Sequence, residues 1–296
     1  MVRSLIVAML AFVVASATLA AQGSTTSPEE FESKLSYQTG KVQLSGGMAT
    51  ITLPRSFRFL GEQDSRKLLV AWGNPPESAQ GVLGMLVPSE ISPLSEDGWA
   101  IVVTYDDDGY VNDADAKTLN YDKVLSDMKA ETVDANKARR EEGFEPITLV
   151  GWAEPPHYDA AAHKLYWAKE LQFGSSSDHT LNYSIRILGR RGVLVLNAVS
   201  SIGQLDIVKK GTPDVLAAVE FNEGHRYTDY LPGTDKAAAY GIGGLIIGAT
   251  AAKAGFFKLI WVALLASKKL ILAGIVAAGA AIKKLLGGGK DAAAQT

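Results

Sequence analysis

The chain has 296 residues, 47% of them hydrophobic, which suffices for the core of one large domain or two ordinary ones. It has no cysteine, which excludes disulfides, thiolate catalysis and cysteine-type zinc sites and leaves any chemistry to oxygen and imidazole groups. The formal charge of −3 hides an asymmetry: residues 21–235 hold 31 acidic against 20 basic residues, whereas residues 236–290 hold eight lysines and no acid. An acidic body argues against nucleic acid as a partner, and a lysine-only apolar segment points to anionic membrane lipid.

Residues 1–20 read as a secretory signal peptide. Arg3 opens it, residues 5–14 are its apolar centre, and Ala15-Ser16-Ala17 or Thr18-Leu19-Ala20 offers a small-residue cleavage site. The alternative, an uncleaved N-terminal anchor, requires an apolar stretch nearer the ~20 residues of a membrane span.

In the body, Ser27 is placed to cap a helix with Pro28 at its first position, Glu30 closing a capping box and Gly40 as the stop; Phe31 and Leu35 lie one turn apart. Residues 41–44 and 48–53 alternate around Ser45-Gly46-Gly47, which predicts a β-hairpin. Asp64 is placed to cap a short helix carrying Leu68, Leu69 and Trp72, halted by Gly73-Asn74-Pro75-Pro76. Strands are expected over residues 82–87, 99–105, 147–152, 164–173, 181–188 and 193–199. A long helix over residues 120–142 carries an apolar stripe of Tyr121, Val124, Leu125, Met128 and Ala135, with Gly143 at its stop. A late helix follows Pro213 over residues 214–219. Strand runs broken by two or three helices give an α+β fold with a mostly antiparallel sheet over residues 21–235.

Residues 236–289 read as a C-terminal membrane-associated segment, with a polar tail over 290–296. Lysines divide it into apolar blocks, 240–252, 254–267 and 270–282, each too short alone to cross a bilayer. Joining the first two makes a membrane helix with Lys253 and Lys258 snorkelling and Lys268-Lys269 as its stop. Alternatively Lys258, Lys269 and Lys283 share one side of a helix lying in the interface. In either geometry Phe256, Phe257 and Trp261, with Lys258, Lys268, Lys269, Lys283 and Lys284, form the anchor. A hairpin buried in a soluble core would have to bury several lysines.

Two stretches concentrate chemistry-bearing side chains. In YDDDGYVNDADA (105–116), setting Gly109 at the sixth position of a calcium loop puts Asp106, Asp108 and Asp115 at ligand positions. Position one is then Thr104, position twelve is not glutamate, and a strand precedes the loop where a helix should. The plainer account is a turn, with Asp113 and Asp115 near a helix N-terminus. GWAEPPHYD (151–159) brings together Trp152, Glu154, Pro155, Pro156, His157, Tyr158 and Asp159. His163 lies four residues further on, but the spacing is not that of a helical zinc pair. The prolines suggest a rigid aromatic loop, and it is the first candidate for a binding surface. Arg190-Arg191, at the tip of a hairpin, could hold phosphate or carboxylate or could be solvated. GIGGLIIG (241–248) lacks the strand and spacing of a dinucleotide loop, so no cofactor is implied.

Several blocks are more specific. In order, WGNPP (72–76), LGML-P (83–88), YDDDGYVNDADA, GWAEPPHYD, KLYWAKEL (164–171), LNYSIRILGRRGVL (181–194) and GHRYTDYLPGTDKAAAYGIGGL (224–245) closely resemble a bacterial family of predicted membrane-anchored proteins, known only as a domain of unknown function. The resemblance covers nearly all of the mature chain. It implies an envelope location and carries no activity. A weaker likeness of architecture is to the photosystem oxygen-evolving accessory protein and Mog1-like proteins, and shape does not carry function.

Export signal and lysine-punctuated tail together suggest a non-enzymatic envelope protein. Its domain would lie in the periplasm, anchored to the cytoplasmic membrane, with anionic lipid and an envelope protein as partners. One alternative is a metal-dependent hydrolase joining the Asp106–Asp115 loop to His157 and Asp159. Another is lipid sensing or membrane remodelling by the C-terminal helices themselves.

Overall fold

The computed structural model describes residues 27–248, Glu142 excepted. The signal over 1–20, the polar tail over 290–296 and every anchor residue from Phe256 to Lys284 lie outside the described residues. In chain order the elements are α1 (Pro28–Glu32), β1 (Tyr37–Gln38), β2 (Lys41–Gln43), β3 (Ala49–Thr52), β4 (Phe57–Gly61), α2 (Glu62–Ala71), β5 (Val82–Pro88), β6 (Ala100–Asp106), β7 (Tyr110–Asn112), α3 (Tyr121–Glu141), β8 (Ile147–Asp159), β9 (Lys164–Phe173), β10 (Thr180–Leu188), β11 (Val193–Ser201), α4 (Leu205–Ala218), β12 (Val219–Phe221), β13 (Ala237–Gly241) and α5 (Ile242–Ile247).

Eight strands form one antiparallel sheet in the order β1-β4-β5-β6-β11-β10-β9-β8. A three-stranded sheet, β12-β3-β2, and a parallel pair, β13-β7, complete it. The α+β expectation with a mostly antiparallel sheet holds. Successive side chains on a strand point to opposite faces, and both faces of the large sheet are covered. On the first, Leu181, Tyr183, Ile185, Leu194 and Leu196 pack on Val208 and Val215 of α4 and on the small sheet. On the second, α2 covers Met85, Val87 and Val102 at one end, and α3 with α5 covers Leu165, Trp167, Val193 and Val195 at the other.

The two outer strands resist pairing with another chain. β1 has only two residues. β8 carries Pro155-Pro156, and at its start the Asn136 side chain of α3 bonds both the N–H and the carbonyl of Ile147, each at 2.7 Å. Short edges, prolines and covered edge groups all block strand addition.

Several boundaries differ from expectation. α1 stops at Glu32 because the chain extends into β1, where Tyr37 pairs with Leu60. Asp64 lies inside α2, whose cap position is Gly61, and accepts instead from Ser36 N–H at 2.9 Å and Lys67 at 2.8 Å. In the C-terminal half of α3 the buried position is Asn136 and Ala135 is exposed, because Asn136 faces the edge of β8. Helix α4 runs through Pro213 rather than starting after it. Proline removes one N–H from the helix ladder, and the neighbouring Thr212 hydroxyl bonds the Val208 carbonyl at 3.0 Å.

Residues 237–248, read from the sequence as the start of the membrane-associated segment, are packed on the body. Ile242, Leu245 and Ile246 are buried against α3 and β11. Among the described residues no helix is long and apolar enough to cross a membrane.

Candidate functional site

The acidic stretch turns at Gly109, which sits at φ 112° with the Lys236 carbonyl where a Cβ would be. β7 then pairs with β13, and three of the aspartates reach protein donors. Asp108 accepts from the Tyr240 hydroxyl at 2.8 Å, and Asp113 accepts from the Tyr158 hydroxyl at 2.7 Å. Asp115 accepts from the N–H groups of Ile242 at 2.9 Å and Gly243 at 3.0 Å, at the opening of α5. A carboxylate there satisfies unpaired donors and meets the positive end of the helix. The expectation of a turn with a carboxylate near a helix N-terminus is thus realised, but on a helix some 127 residues away. Burial, and then the aspartate bond, pushes the Tyr158 and Tyr240 hydroxyls well above the ordinary phenol range, so each stays a donor.

GWAEPPHYD is not a loop. It is the second half of the edge strand β8, irregular in register against β9 between Leu149 and His157. Prolines are tolerated at an edge, where no neighbouring strand needs the missing N–H. The irregularities divide its side chains between the two faces. Trp152 and Tyr158 turn toward α3 and the acidic loop, with the Trp152 indole N–H 3.3 Å from the Tyr121 carbonyl. Glu154 turns the other way. It accepts from the buried Tyr183 hydroxyl at 2.9 Å and pairs with Lys209 of α4 at 3.1 Å. Exposed His157 tilts against Tyr166, ring centres 5.1 Å apart. Asp159 closes the β8–β9 turn by accepting from Ala161 and Ala162 N–H, which holds its carboxyl below the usual range.

The two stretches meet along an open cleft of about 540 Å³ lined by Asp113, Lys117, Tyr121, Pro156, His157 and Tyr158. Asp106, Asp108, Asp115 and Asp159 are not among its walls. Among the described residues no three His, Asp or Glu side chains are grouped to hold a metal ion. The cleft can offer aromatic faces with one carboxylate and one ammonium, a surface suited to binding.

A family comparison decides what kind of chain this is. Residues 36–279 match the family described as "Protein of unknown function (DUF2167)". The chain belongs to that family. No curated protein matches it in sequence.

Solved structures similar to this DUF2167 chain include the cyanobacterial PsbP of Synechocystis sp. PCC 6803, with 9% identity, a TM-score of 0.36, and 64% of this chain and 94% of that one covered. The Saccharomyces cerevisiae Ran-binding protein Mog1p has 10% identity, a TM-score of 0.32, and coverage of 63% and 95%. LpqN, involved in cell envelope biogenesis of Mycobacterium tuberculosis, has 13% identity, a TM-score of 0.31, and coverage of 66% and 96%.

Two features of the DUF2167 chain escaped the sequence reading. Arg190 is not a solvated tip: it bonds Asp235 through two nitrogens at 2.6 and 3.1 Å, whereas Arg191, which reaches Asp235 at 3.2 Å, stays exposed as a hairpin tip does. For Arg190, carboxylate holding is the alternative realised, and the carboxylate is the chain's own; the Arg190 side chain holds that carboxyl down to about 2. Next to the cleft, Tyr110 stacks between Tyr230 at 3.8 Å and Tyr227 at 4.4 Å, and His163 stacks on Tyr227 at 4.0 Å. His163 takes a left-handed φ of 53° and its Nδ1 lies 3.3 Å from the Tyr158 hydroxyl. GHRYTDY contains both tyrosines, but nothing in their spacing links them to a histidine 64 residues earlier.

Proposed function

We propose that the chain is a binding module of the bacterial envelope, exported, held at the cytoplasmic membrane through residues beyond 248, and without a reaction of its own. The observation that carries this reading is the use made of the acidic loop. Asp108 and Asp115 are bonded to Tyr240, Ile242 and Gly243, so they brace the stretch leading into the lysine-punctuated apolar segment. A foot fixed in this way would hold the body at a set orientation to the lipid surface. The cleft beside Pro156, His157 and Tyr158, and the aromatic edge of β8, would then face an envelope protein partner. Aromatic side chains on a rigid strand suit such a contact, because little ordering entropy is lost on binding.

Fractionation of cells making the full-length chain tests the placement. It is expected in the membrane pellet, resistant to high salt, and released by a stop codon after Gly248. Recovery of the untreated full-length chain in the soluble periplasmic fraction would end the anchor claim. A photo-crosslinking residue in place of exposed His157 is expected to trap one envelope protein in intact cells, whereas the same probe at Val133, exposed on the outer side of α3, is not.

A further inference from the structure

The acidic loop and β8 are pinned to each other at two points. Tyr158 donates to Asp113 at 2.7 Å, and the Trp152 indole N–H reaches the Tyr121 carbonyl at 3.3 Å. Both donors come from β8, and the two acceptors flank a single 3₁₀ turn, Ala114–Lys117. That turn is held in its own right. Asn112 Oδ1 accepts from Ala114 N–H at 2.8 Å, and the Asp115 carboxylate is seated on the opening of α5. The open cleft of about 540 Å³, with buried Pro156 in its wall, is therefore a fixed feature of the fold. A site whose width is set beforehand loses little entropy when filled.

Two groups of opposite charge line this cleft without meeting. Asp113 stands at the cap position of the turn, yet its side chain caps nothing. Its Oδ2 accepts from Tyr158 and lies 3.7 Å from His163 Nδ1, while its Oδ1 accepts from no described residue. Lys117, exposed at the other end of the turn, has no hydrogen bond or ion pair among the described residues. With three residues per turn, positions four apart lie about 120° apart around the axis. The Asp–Lys pair that an α-helix closes at this spacing therefore stays open. Tyr121 and Tyr158 add aromatic faces, which attract a cation, and exposed His157 adds ring nitrogens.

We infer that this cleft is the binding site of a compact zwitterion, a primary ammonium joined through a short link to a carboxylate or phosphate group. The ammonium meets the open Asp113 oxygen and the Tyr121 and Tyr158 rings; the anionic oxygens meet Lys117 and His157. A purely anionic ligand would face Asp113 and a purely cationic one Lys117, so neither sign alone satisfies both groups. The inference rests on the proposed reading of this cleft as a binding surface and goes beyond it. No second protein and no membrane placement is required, so fractionation and crosslinking can fail while zwitterion binding stands. The source is a free solute or the headgroup of phosphatidylethanolamine, and separate arms of one experiment distinguish them.

The full-length chain in an uncharged detergent is melted with glycine or glycerophosphoethanolamine at constant ionic strength. In parallel it is melted with ethanolamine or glycerol phosphate, each of which carries one half of the charge pattern. A further arm adds phosphatidylethanolamine or phosphatidylglycerol to the micelles. A zwitterion at about a hundred times its dissociation constant is expected to raise Tm by roughly 5–10 °C, and neither half is expected to match it. A rise with glycine or glycerophosphoethanolamine assigns the ligand to a free zwitterion, and a rise with phosphatidylethanolamine alone to a lipid headgroup. Lys117→Gln, at an exposed position, is expected to keep the Tm of the free chain and to raise the apparent Kd at least tenfold. Asp113→Asn keeps an acceptor for Tyr158 but turns the open oxygen into a donor, and a similar loss is expected. Should Asp113→Asn fail to fold, Lys117→Gln carries the test alone. No rise with any of the three zwitterions overturns the inference. An equal rise with ethanolamine, glycerol phosphate or phosphatidylglycerol does the same, as does an undiminished response in Lys117→Gln or in folded Asp113→Asn.

Discussion

On one side of β10, Leu181, Tyr183, Ile185 and Ile187 interlock with β11 and α4; on the other, Asn182, Ser184 and Arg186 lie beside Trp167 and the partly buried Lys169, and the strand's own residues are buried on both sides. The apolar side needs no explanation beyond the area it removes from solvent. The polar side does, because a hydrogen-bonded network with buried charge is seldom more stable than well-packed hydrocarbon of the same shape. Equal burial of the strand with unequal chemistry sets a side that contributes through area against one that must pair its polar groups.

The largest expected effect falls on the apolar side. Leu196→Ala should cost about 3 kcal/mol in urea unfolding, because the cavity at a fully buried position between packed layers cannot collapse. A loss below 1 kcal/mol would put the core elsewhere.

Next is a pH window on the polar side. Burial, and then Arg186, pushes the Lys169 ammonium down to about 7 in the folded chain, against about 10.4 when unfolded. Its contribution is therefore complete above about pH 10.4 and is lost as pH falls toward 7. Below 7 both states carry the proton and the slope ends. Stability measured across that window should rise with pH, and Lys169→Met should flatten the rise.

A smaller effect is expected where the acidic loop meets α5. Asp115→Ala should cost about 1 kcal/mol through loss of two bonds to the helix opening. Amide exchange at Ile242 and Gly243 should quicken while α3 keeps its protection. On the polar side, Arg186→Met takes the donor from the Ile185 carbonyl and from Asn197 Oδ1 and should cost about 1–3 kcal/mol in the same unfolding measurement.

Local pattern was enough for the strands of the large sheet, because alternating or wholly apolar runs such as residues 164–173 and 193–199 have few other ways to lie. It was also enough for α3, where Asn120 accepts from Asp122 and Lys123 N–H and so marks the start. What stayed hidden depends on partners distant in sequence. Pro155-Pro156 looks like a loop until β8 is known to be the outermost strand. Arg190 looks solvated until Asp235 arrives 45 residues later. The apolar block from residue 240 looks like lipid-facing sequence, but its first turn is drawn onto the body by Asp108 and Asp115. The polar row of β10 was hidden for another reason: polar residues at every second place of LNYSIRIL promise an exposed face, and only the layers above the sheet bury it.

The blunted outer strands also bear on crowding. A long, regular β8 would offer copies of this chain a template for continuous sheet growth, most of all when many are confined side by side. With Pro155-Pro156 in one border, Asn136 occupying its start, and only two residues in the opposite border, neighbours can touch without fusing. Whatever grips β8 must therefore recognise its side chains, and its backbone stays out of the bargain.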